Sequence, residues 1–419
     1  MKRFWIILFY ASGAYGQQIQ SVTLEQIQQW SAENYPLVRQ KALARESALA
    51  TNDNLGNNYL PQLTLGGQAS WQSAVTEVPV RIPGFAPEPL SQDQYRLTFD
   101  INQLIYDGGI NKQQKYLNEL QALLKEEEVN IGLHQLKDKI NNLYLSILLY
   151  DAQRKQNNLV ISDLEAGIRK VTAQVQNGTA YRSNLALLQS EKLKADQRDI
   201  ELAHEREGII GILAILTNRQ LHSVTTFSTP VLPSLATTKE INRPEIAYYH
   251  LRDSLTMEQS KQIDGRLKPK VSLFANSGYG RPGLDFLKNE FSPYITTGVR
   301  FNWNISGFYN SKKERTLNDI TRRDIKAQED NFRINVETQL RQQESLIKKL
   351  KALLSADTEI IELKKQVKEA SNAQLENGVI TASDYLREVH AEDAARQTQI
   401  LHQLQLLQAL LTYSTIIGN

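Results

Sequence analysis

Residues 294–305 alternate strictly. Ile295, Thr297, Val299, Phe301, Trp303 and Ile305 share one parity, and Tyr294, Thr296, Gly298, Arg300, Asn302 and Asn304 the other. A period of 2 predicts a strand with one apolar and one polar face. After Ser306-Gly307 the pattern changes. Lys312, Lys313, Glu314 and Arg315 open a charged segment with helical spacing that runs for some 65 residues without a proline. A strand therefore hands over directly to a very long helix. The same passage occurs earlier: Tyr95, Leu97, Phe99 and Ile101 alternate with Arg96, Thr98, Asp100 and Asn102, and Asp107-Gly108-Gly109 leads into another long helix. Gly108 and Gly307 lie 199 residues apart, Asn177-Gly178 recurs 200 residues later as Asn377-Gly378, and Ser183 recurs as Ser383. Internal repetition at a fixed offset says that one unit is used twice.

The first unit is expected over residues 17–217. A helix over 22–58 is marked by Leu24, Ile27, Trp30, Leu37, Leu43 and Leu49, with Pro36 at a kink or break. A strand hairpin over 62–106 follows, its loop rich in proline from about 78 to 93. A pair of long helices fills 110–217. The first carries a heptad seam through Leu133, Leu136, Ile140, Leu143, Ile147 and Tyr150, passes Arg154 and Asn157, and resumes at Ile161, Leu164, Ile168, Val171 and Val175. That is coiled-coil spacing, and at 1.5 Å per residue such a helix is about 100 Å long. Asn177-Gly178 ends it, glycine being suited to the left-handed cap. Residues 218–238 form a linker without periodicity. The second unit spans 239–419, with a helix over 240–266, a hairpin over 269–305 whose loop is shorter, and a helix pair over 308–416.

Composition narrows the setting. Net charge is +2, which gives no footprint for nucleic acid, and there is no cysteine for disulfides, thiolate metal sites or lipidation. Residues 1–16 read as a secretory signal: Lys2 and Arg3, an apolar core from Phe4 to Tyr10, and Ala14-Tyr15-Gly16 as the small-x-small cleavage site. The apolar core is too short to span a bilayer, which takes about 20 residues. No later stretch reads as a transmembrane helix. The strands, however, are long enough to cross a membrane when tilted, which takes about 9–11 residues, and Trp71 and Trp303 suit an interfacial belt. Four strands cannot close a barrel, and an open edge does not survive in lipid. Membrane insertion thus requires several chains to share one barrel: two chains would supply 8 strands and three would supply 12. The polar strand positions, among them Arg96, Asp100, Arg300 and Asn302, would then face the lumen.

With this order of elements in place, the chain resembles the TolC family of outer-membrane efflux proteins over its whole mature length. The resemblance rests on helix, hairpin, long helix and return helix used twice, on the passages at Gly108, Gly109 and Gly307, and on two related turns. The turns are Asn377-Gly378-Val379-Ile380-Thr381-Ala382-Ser383-Asp384-Tyr385 and Asn177-Gly178-Thr179-Ala180-Tyr181-Arg182-Ser183-Asn184-Leu185. The fold class implied is mainly α with a β-barrel part: a trimeric 12-stranded outer-membrane β-barrel and long coiled-coil helices forming a periplasmic α-barrel. The resemblance further implies an outer-membrane conduit of a tripartite export system in a Gram-negative bacterium. Its partners would be a periplasmic adaptor protein, an inner-membrane transporter and outer-membrane lipid, and it needs no cofactor. Asn177, Gly178, Thr179, Asn377, Gly378 and Val379 would form the periplasmic tip that meets the adaptor. The entrance would hold Asp384, with Asn184 in its place in the first unit and Arg387 one turn on. The resemblance then implies an entrance less acidic than in other members. Many members carry a lipidated cysteine; this chain has none.

Blander readings stand beside these. An Asn-Gly helix stop is ordinarily a cap and nothing more, and it is the recurrence that favours a tip. Asp384 is either an entrance residue or a helix-start acid favoured by the dipole. The histidines at 134, 204, 222, 250, 390 and 402 form no ligand pair at helical spacing. No phosphate loop, nucleophile elbow or paired-carboxylate signature is present, so there is no case for an enzyme. The competing class is an exported coiled-coil scaffold of the cell envelope, which accounts for the helices but not for four amphipathic strands at matched places.

Overall fold

The computed structural model describes residues 21–75, 90–231 and 240–418. The expected signal segment 1–16, most of the first hairpin loop and the end of the linker lie outside these residues. Helix α1 (Leu24–Asn34) starts from a capping box in which Thr23 and Gln26 each bond the other's backbone N–H. It stops at Tyr35, whose backbone is extended (ψ 130°) because the following Pro36 disfavours the helical conformation there. A single 3₁₀ turn (Pro36–Val38) leads into α2 (Arg39–Gly56). The expected helix over 22–58 is thus two helices around a proline break. Strands β1 (Gln62–Trp71) and β2 (Asp93–Tyr106) precede α3 (Ile110–Gln176) and α4 (Arg182–Thr217). The second unit repeats the order with α5 (Pro244–Arg266), β3 (Lys270–Arg281), β4 (Ser292–Asn302), α6 (Gly307–Glu376) and α7 (Ala382–Ile417).

Spatial compactness cuts across the sequence repeat. One compact unit joins the residues up to Val38 with Ile131–Arg243 and Ile334–Asn419, and the other joins Arg39–Asn130 with Pro244–Arg333. Each draws on both copies of the repeat.

In the second of these units the four strands form one antiparallel sheet in the order β1-β2-β3-β4. Both hairpins are present, and β2 pairs with β3 to join them. The outer edges of β1 and β4 have no strand partner among the described residues. A bulge between Leu104 and Tyr106 shifts the register near the helix end of β2. Helix α2 lies along α3 through polar contacts. Arg45 clasps Glu126 at 2.5 and 2.7 Å, and the Asn118 side chain donates to the Ala48 carbonyl at 2.9 Å. The second copy repeats this with α5 on α6, where Arg322 clasps Asp253 at 2.7 and 3.0 Å.

In the helical unit Leu136, Ile140, Ile147, Leu164 and Val171 of the heptad seam are buried, and Leu133, Leu143, Tyr150, Ile161, Ile168 and Val175 are half-buried beside them. Ile140 and Ile147 of α3 are fully enclosed with Leu24 and Ile27 of α1, Leu213 of α4 and Leu407 of α7. The two polar positions in the seam are cross-helix bonds. Arg154 clasps Asp199 at 2.9 and 3.0 Å, and buried Asn157 donates to the Ala195 carbonyl at 2.8 Å. Such polar positions fix the register of helices that apolar packing alone would let slide. The described part of the linker is held rather than loose. Arg206 donates to the Ser223 and Thr225 carbonyls at 2.5 and 2.7 Å while pairing with Asp151. Tyr144 sets its hydroxyl between the carbonyls of Val22 and Ser228.

Candidate functional site

The sheet register sorts side chains cleanly onto two faces. Leu65 opposes Phe99, Leu97 opposes Tyr279, and Leu273 opposes Val299, so one face is mainly apolar, with Gln103, Ser277 and Thr297 as its uncharged polar positions. It is bare in the single chain: Leu65 is 71% exposed, Val299 66% and Phe301 63%. The other face brings Arg96, Asp100, Arg300 and Asn302 together, as their parity predicts. A cleft on this polar face is lined by Arg96, Asp100, Asn276, Tyr294 and Thr296, with Leu284 of the β3–β4 connection at its margin. Two aromatic rings also stand on this side and lie flat over glycines. A Cβ on Gly278 would sit 2.4 Å from the Tyr294 ring, and one on Gly298 2.9 Å from the Phe274 ring. The Arg300 guanidinium lies 4.9 Å from the centre of the Phe274 ring. Phe274 falls on the polar parity in the sequence, but nothing there shows that Gly298 stands opposite to receive it.

The two strand-to-helix passages, paired by their sequence, differ in backbone. At the first, Gly108 and Gly109 adopt φ of 80° and 86°. Asp107, buried, accepts from the backbone N–H of Gly109 at 2.8 Å and of Asn111 at 2.7 Å, capping α3. A Cβ on Gly108 would come within 2.4 Å of the Gly265 carbonyl oxygen, so the site excludes any side chain. At the second, Gly307 is simply the first residue of α6, and positive φ does not occur there. The turn is held instead by Phe308 N–H donating to Ile305 and by the Trp303 indole donating to the Leu267 carbonyl at 2.9 Å.

The two Asn-Gly turns share one geometry. Gly178 and Gly378 have φ of 72° and 68°. Gly178 N–H donates to Val175 and Thr179 N–H to Gln174; Gly378 donates to Leu375 and Val379 to Gln374. This is the Schellman closure of a helix end. The Lys170 ammonium reaches Asn372 and Glu376, each at 3.1 Å, and Gln174 donates to the Leu375 carbonyl at 2.9 Å, so the ends of α3 and α6 lie side by side. Open space surrounds the Cβ positions of both glycines. The helices that follow start differently. Thr381 and Asp384 form a capping box with mutual bonds of 3.3 and 3.2 Å, whereas Tyr181 makes no side-chain cap and Asn184 bonds only through its backbone. The Thr381 hydroxyl, donating at 2.7 Å, holds the Asp384 carboxyl below the usual carboxylate range. Arg387 stands 3.7 Å from Asp384 and 3.3 Å from Glu388.

Sequence reasoning did not reach the ionic cluster deeper in the same unit. Lys368 of α6 lies 2.7 Å from both Asp163 of α3 and Glu392 of α7, and Arg396 completes the group at 2.6 Å from Glu392. Glu392 is almost fully enclosed, beside the apolar cluster of Leu164, Leu188, Tyr385 and Val389. Glu392 and Arg396 are four residues apart on α7, but Lys368, Asp163 and Glu392 stand on three different helices, which no local spacing connects. The histidines stand apart from one another. His402 pairs with Asp357 at 2.6 Å, and His390 lies 3.4 Å from Glu191. Among the described residues no group of three or more His, Cys, Asp or Glu is placed to hold a metal ion, and no helix is long and apolar enough to cross a membrane.

No protein-family model matches the chain, and no curated protein sequence does. Solved structures do. The outer membrane protein VceC of Vibrio cholerae matches with a TM-score of 0.70 over 94% of this chain and 96% of its own, at 14% identity. The transmembrane channel CusC matches with a TM-score of 0.72 over 94% and 92%, also at 14% identity. The open state of the MtrE outer membrane channel of Neisseria gonorrhoeae matches with a TM-score of 0.68 over 94% and 89%, again at 14%. At this identity the likeness is one of fold, and the fold this chain shares is that of the TolC-type outer-membrane channels.

Proposed function

We propose that this protein is an outer-membrane channel, the exit conduit of a tripartite efflux or secretion system in a Gram-negative bacterium. The observation that carries the reading is the four-stranded sheet: bare apolar side chains on one face, polar ones on the other, and at each side an edge without a strand partner among the described residues. Unpaired backbone groups cannot be left in hydrocarbon. Since the strands alternate in direction, β4 of one copy meets β1 of the next in the same antiparallel sense, and three copies close a barrel of twelve. The apolar face then meets lipid and the polar face lines a wet lumen. Fold-level likeness to channels supports the same conclusion. A coiled-coil scaffold would have no use for an apolar sheet face. The protein extracted in mild detergent is expected to have the mass of a trimer, measured by light scattering or native mass spectrometry. A stable monomer would sink the shared-barrel reading.

The paired turns at Gly178 and Gly378 are the part we assign to the periplasmic adaptor, which in turn would connect to an inner-membrane transporter. Both turns end their helices side by side with backbone exposed and no side chain in the way. Gly178→Trp or Gly378→Trp places a side chain at positive φ, at a cost of roughly 1 kcal/mol, with open space around it. Folding and trimer yield should therefore survive. Export should fall, because the indole keeps a partner from the backbone. Normal export by the double variant would remove the turns from the docking surface.

A further inference from the structure

We propose that the strand-built lumen of this conduit prefers anions, so that its cargo class is anionic. The inference rests on the channel reading above and addresses its substrate class. The register places Arg96, Lys270 and Arg300 on the polar face, and Asp100 is the one carboxylate there. Three cations stand against one anion, a surplus of two positive charges per chain. None of the four is engaged in an ion pair among the described residues. The two charged strand residues of the other parity, Asp93 and Arg281, are paired with each other and cancel.

The cations are placed where a passing ion meets them. Arg300 opposes Ser272 while Lys270 opposes Asn302, which makes Lys270 and Arg300 diagonal neighbours on one face at the helix end of the sheet. Like charges so placed repel unless a counter-ion stands between them. Phe274 holds the Arg300 guanidinium against the wall, leaving its charge in the lumen. Closing the barrel from three copies would bring six of these charges into one ring. Charged rings inside low-dielectric walls raise the local concentration of the opposite ion, and Arg/Lys rings select anions. The β3–β4 connection contributes Asp285 and Glu290 against Lys288, a smaller surplus of opposite sign.

The test is the reversal potential of the mature full-length trimer in a planar bilayer under a tenfold KCl gradient. Wild type should pass chloride in preference to potassium. The preference should be stronger around 0.1 M than around 1 M salt, because the screening length falls from about 10 Å to about 3 Å. Lys270→Gln/Arg300→Gln leaves one cation and one carboxylate per chain and should bring the chloride-to-potassium permeability ratio down to about 1. Asp100→Asn should move the ratio the other way, which a mere change in pore width would not do. A potassium-selective wild type overturns the proposal. So does a ratio unmoved by Lys270→Gln/Arg300→Gln in trimers of normal mass. If that variant does not insert, an unmoved ratio in Asp100→Asn overturns it instead. Failure of wild type to form channels at all would remove the channel reading and this inference with it, whereas normal channels without the selectivity remove the inference alone.

Discussion

Val299→Arg and Phe301→Arg should each leave the protein outside the outer-membrane fraction, while Thr296→Arg and Asn302→Gln should insert as wild type does. Val299 and Phe301 are 66% and 63% exposed on the apolar face, beside Leu273 and Val271 of the neighbouring strand. In a closed barrel that face has no contact but lipid. A cation near the bilayer midplane costs about 2–4 kcal/mol on a lipid-facing strand position. In the proposed three-copy barrel that cost would be met three times over. Thr296 lies three residues before Val299 and Asn302 one residue after Phe301, both on the face that carries Arg300. A polar side chain added there would meet water. Membrane fractionation of the four variants decides the matter: equal behaviour of the two pairs would show that the sheet faces are assigned wrongly, whatever the oligomeric state.

Lys368→Met should lower the urea midpoint for loss of helical signal by more than any substitution of an exposed ion pair does. Lys368 serves two carboxylates at once, Asp163 and Glu392, on two other helices. Removing one partner of an enclosed ion pair costs about 3–5 kcal/mol, since the remaining charge stays desolvated, against about 0.2–1 kcal/mol for an exposed pair. Arg396 still stands by Glu392 and moderates the loss. A second replacement, Glu392→Leu, should return part of the stability by removing the stranded charge. The pH dependence follows the same pairing. Burial pushes the Glu392 carboxyl up, but its hydrogen bonds from Lys368 and Arg396 outweigh this and leave it below its ordinary 4.5. Burial likewise pushes the Lys368 ammonium down, and its bonds to Asp163 and Glu392 outweigh that and leave it above 10.5. The carboxylate's contribution is therefore present above pH 4.5 and lost as pH falls through its lowered value. The ammonium's is present below pH 10.5 and lost as pH rises through its raised value. Lys368→Met should flatten both flanks of the stability profile. An unchanged midpoint and an unchanged acid flank would show that the cluster contributes nothing.

What the sequence determined by itself was the two-sidedness of each element. A period of 2 in residues 294–302 and a 3-and-4 spacing from Leu133 to Val175 report which positions share an environment, and they do so wherever the chain goes. Glycine at 178 and 378 was legible for a similar reason, since a helix stop is a local conformational demand. The repeat was legible because it is written twice. Tertiary structure decided what stands opposite. That β2 pairs with β3, that Gly298 receives the Phe274 ring, and that the Gly265 carbonyl closes on Gly108 all depend on segments brought together across long stretches of chain. The same holds for Lys368, Asp163 and Glu392, where each charge alone reads as an ordinary solvated helical residue. It holds also for Gly108 and Gly307. Both mark a strand's handover to a helix, but only the first is crossed by another backbone, and only there does the fold require a residue without a side chain. Local periodicity records which side of an element is apolar; the partner on that side is set by chain path and register, which no single window of sequence contains.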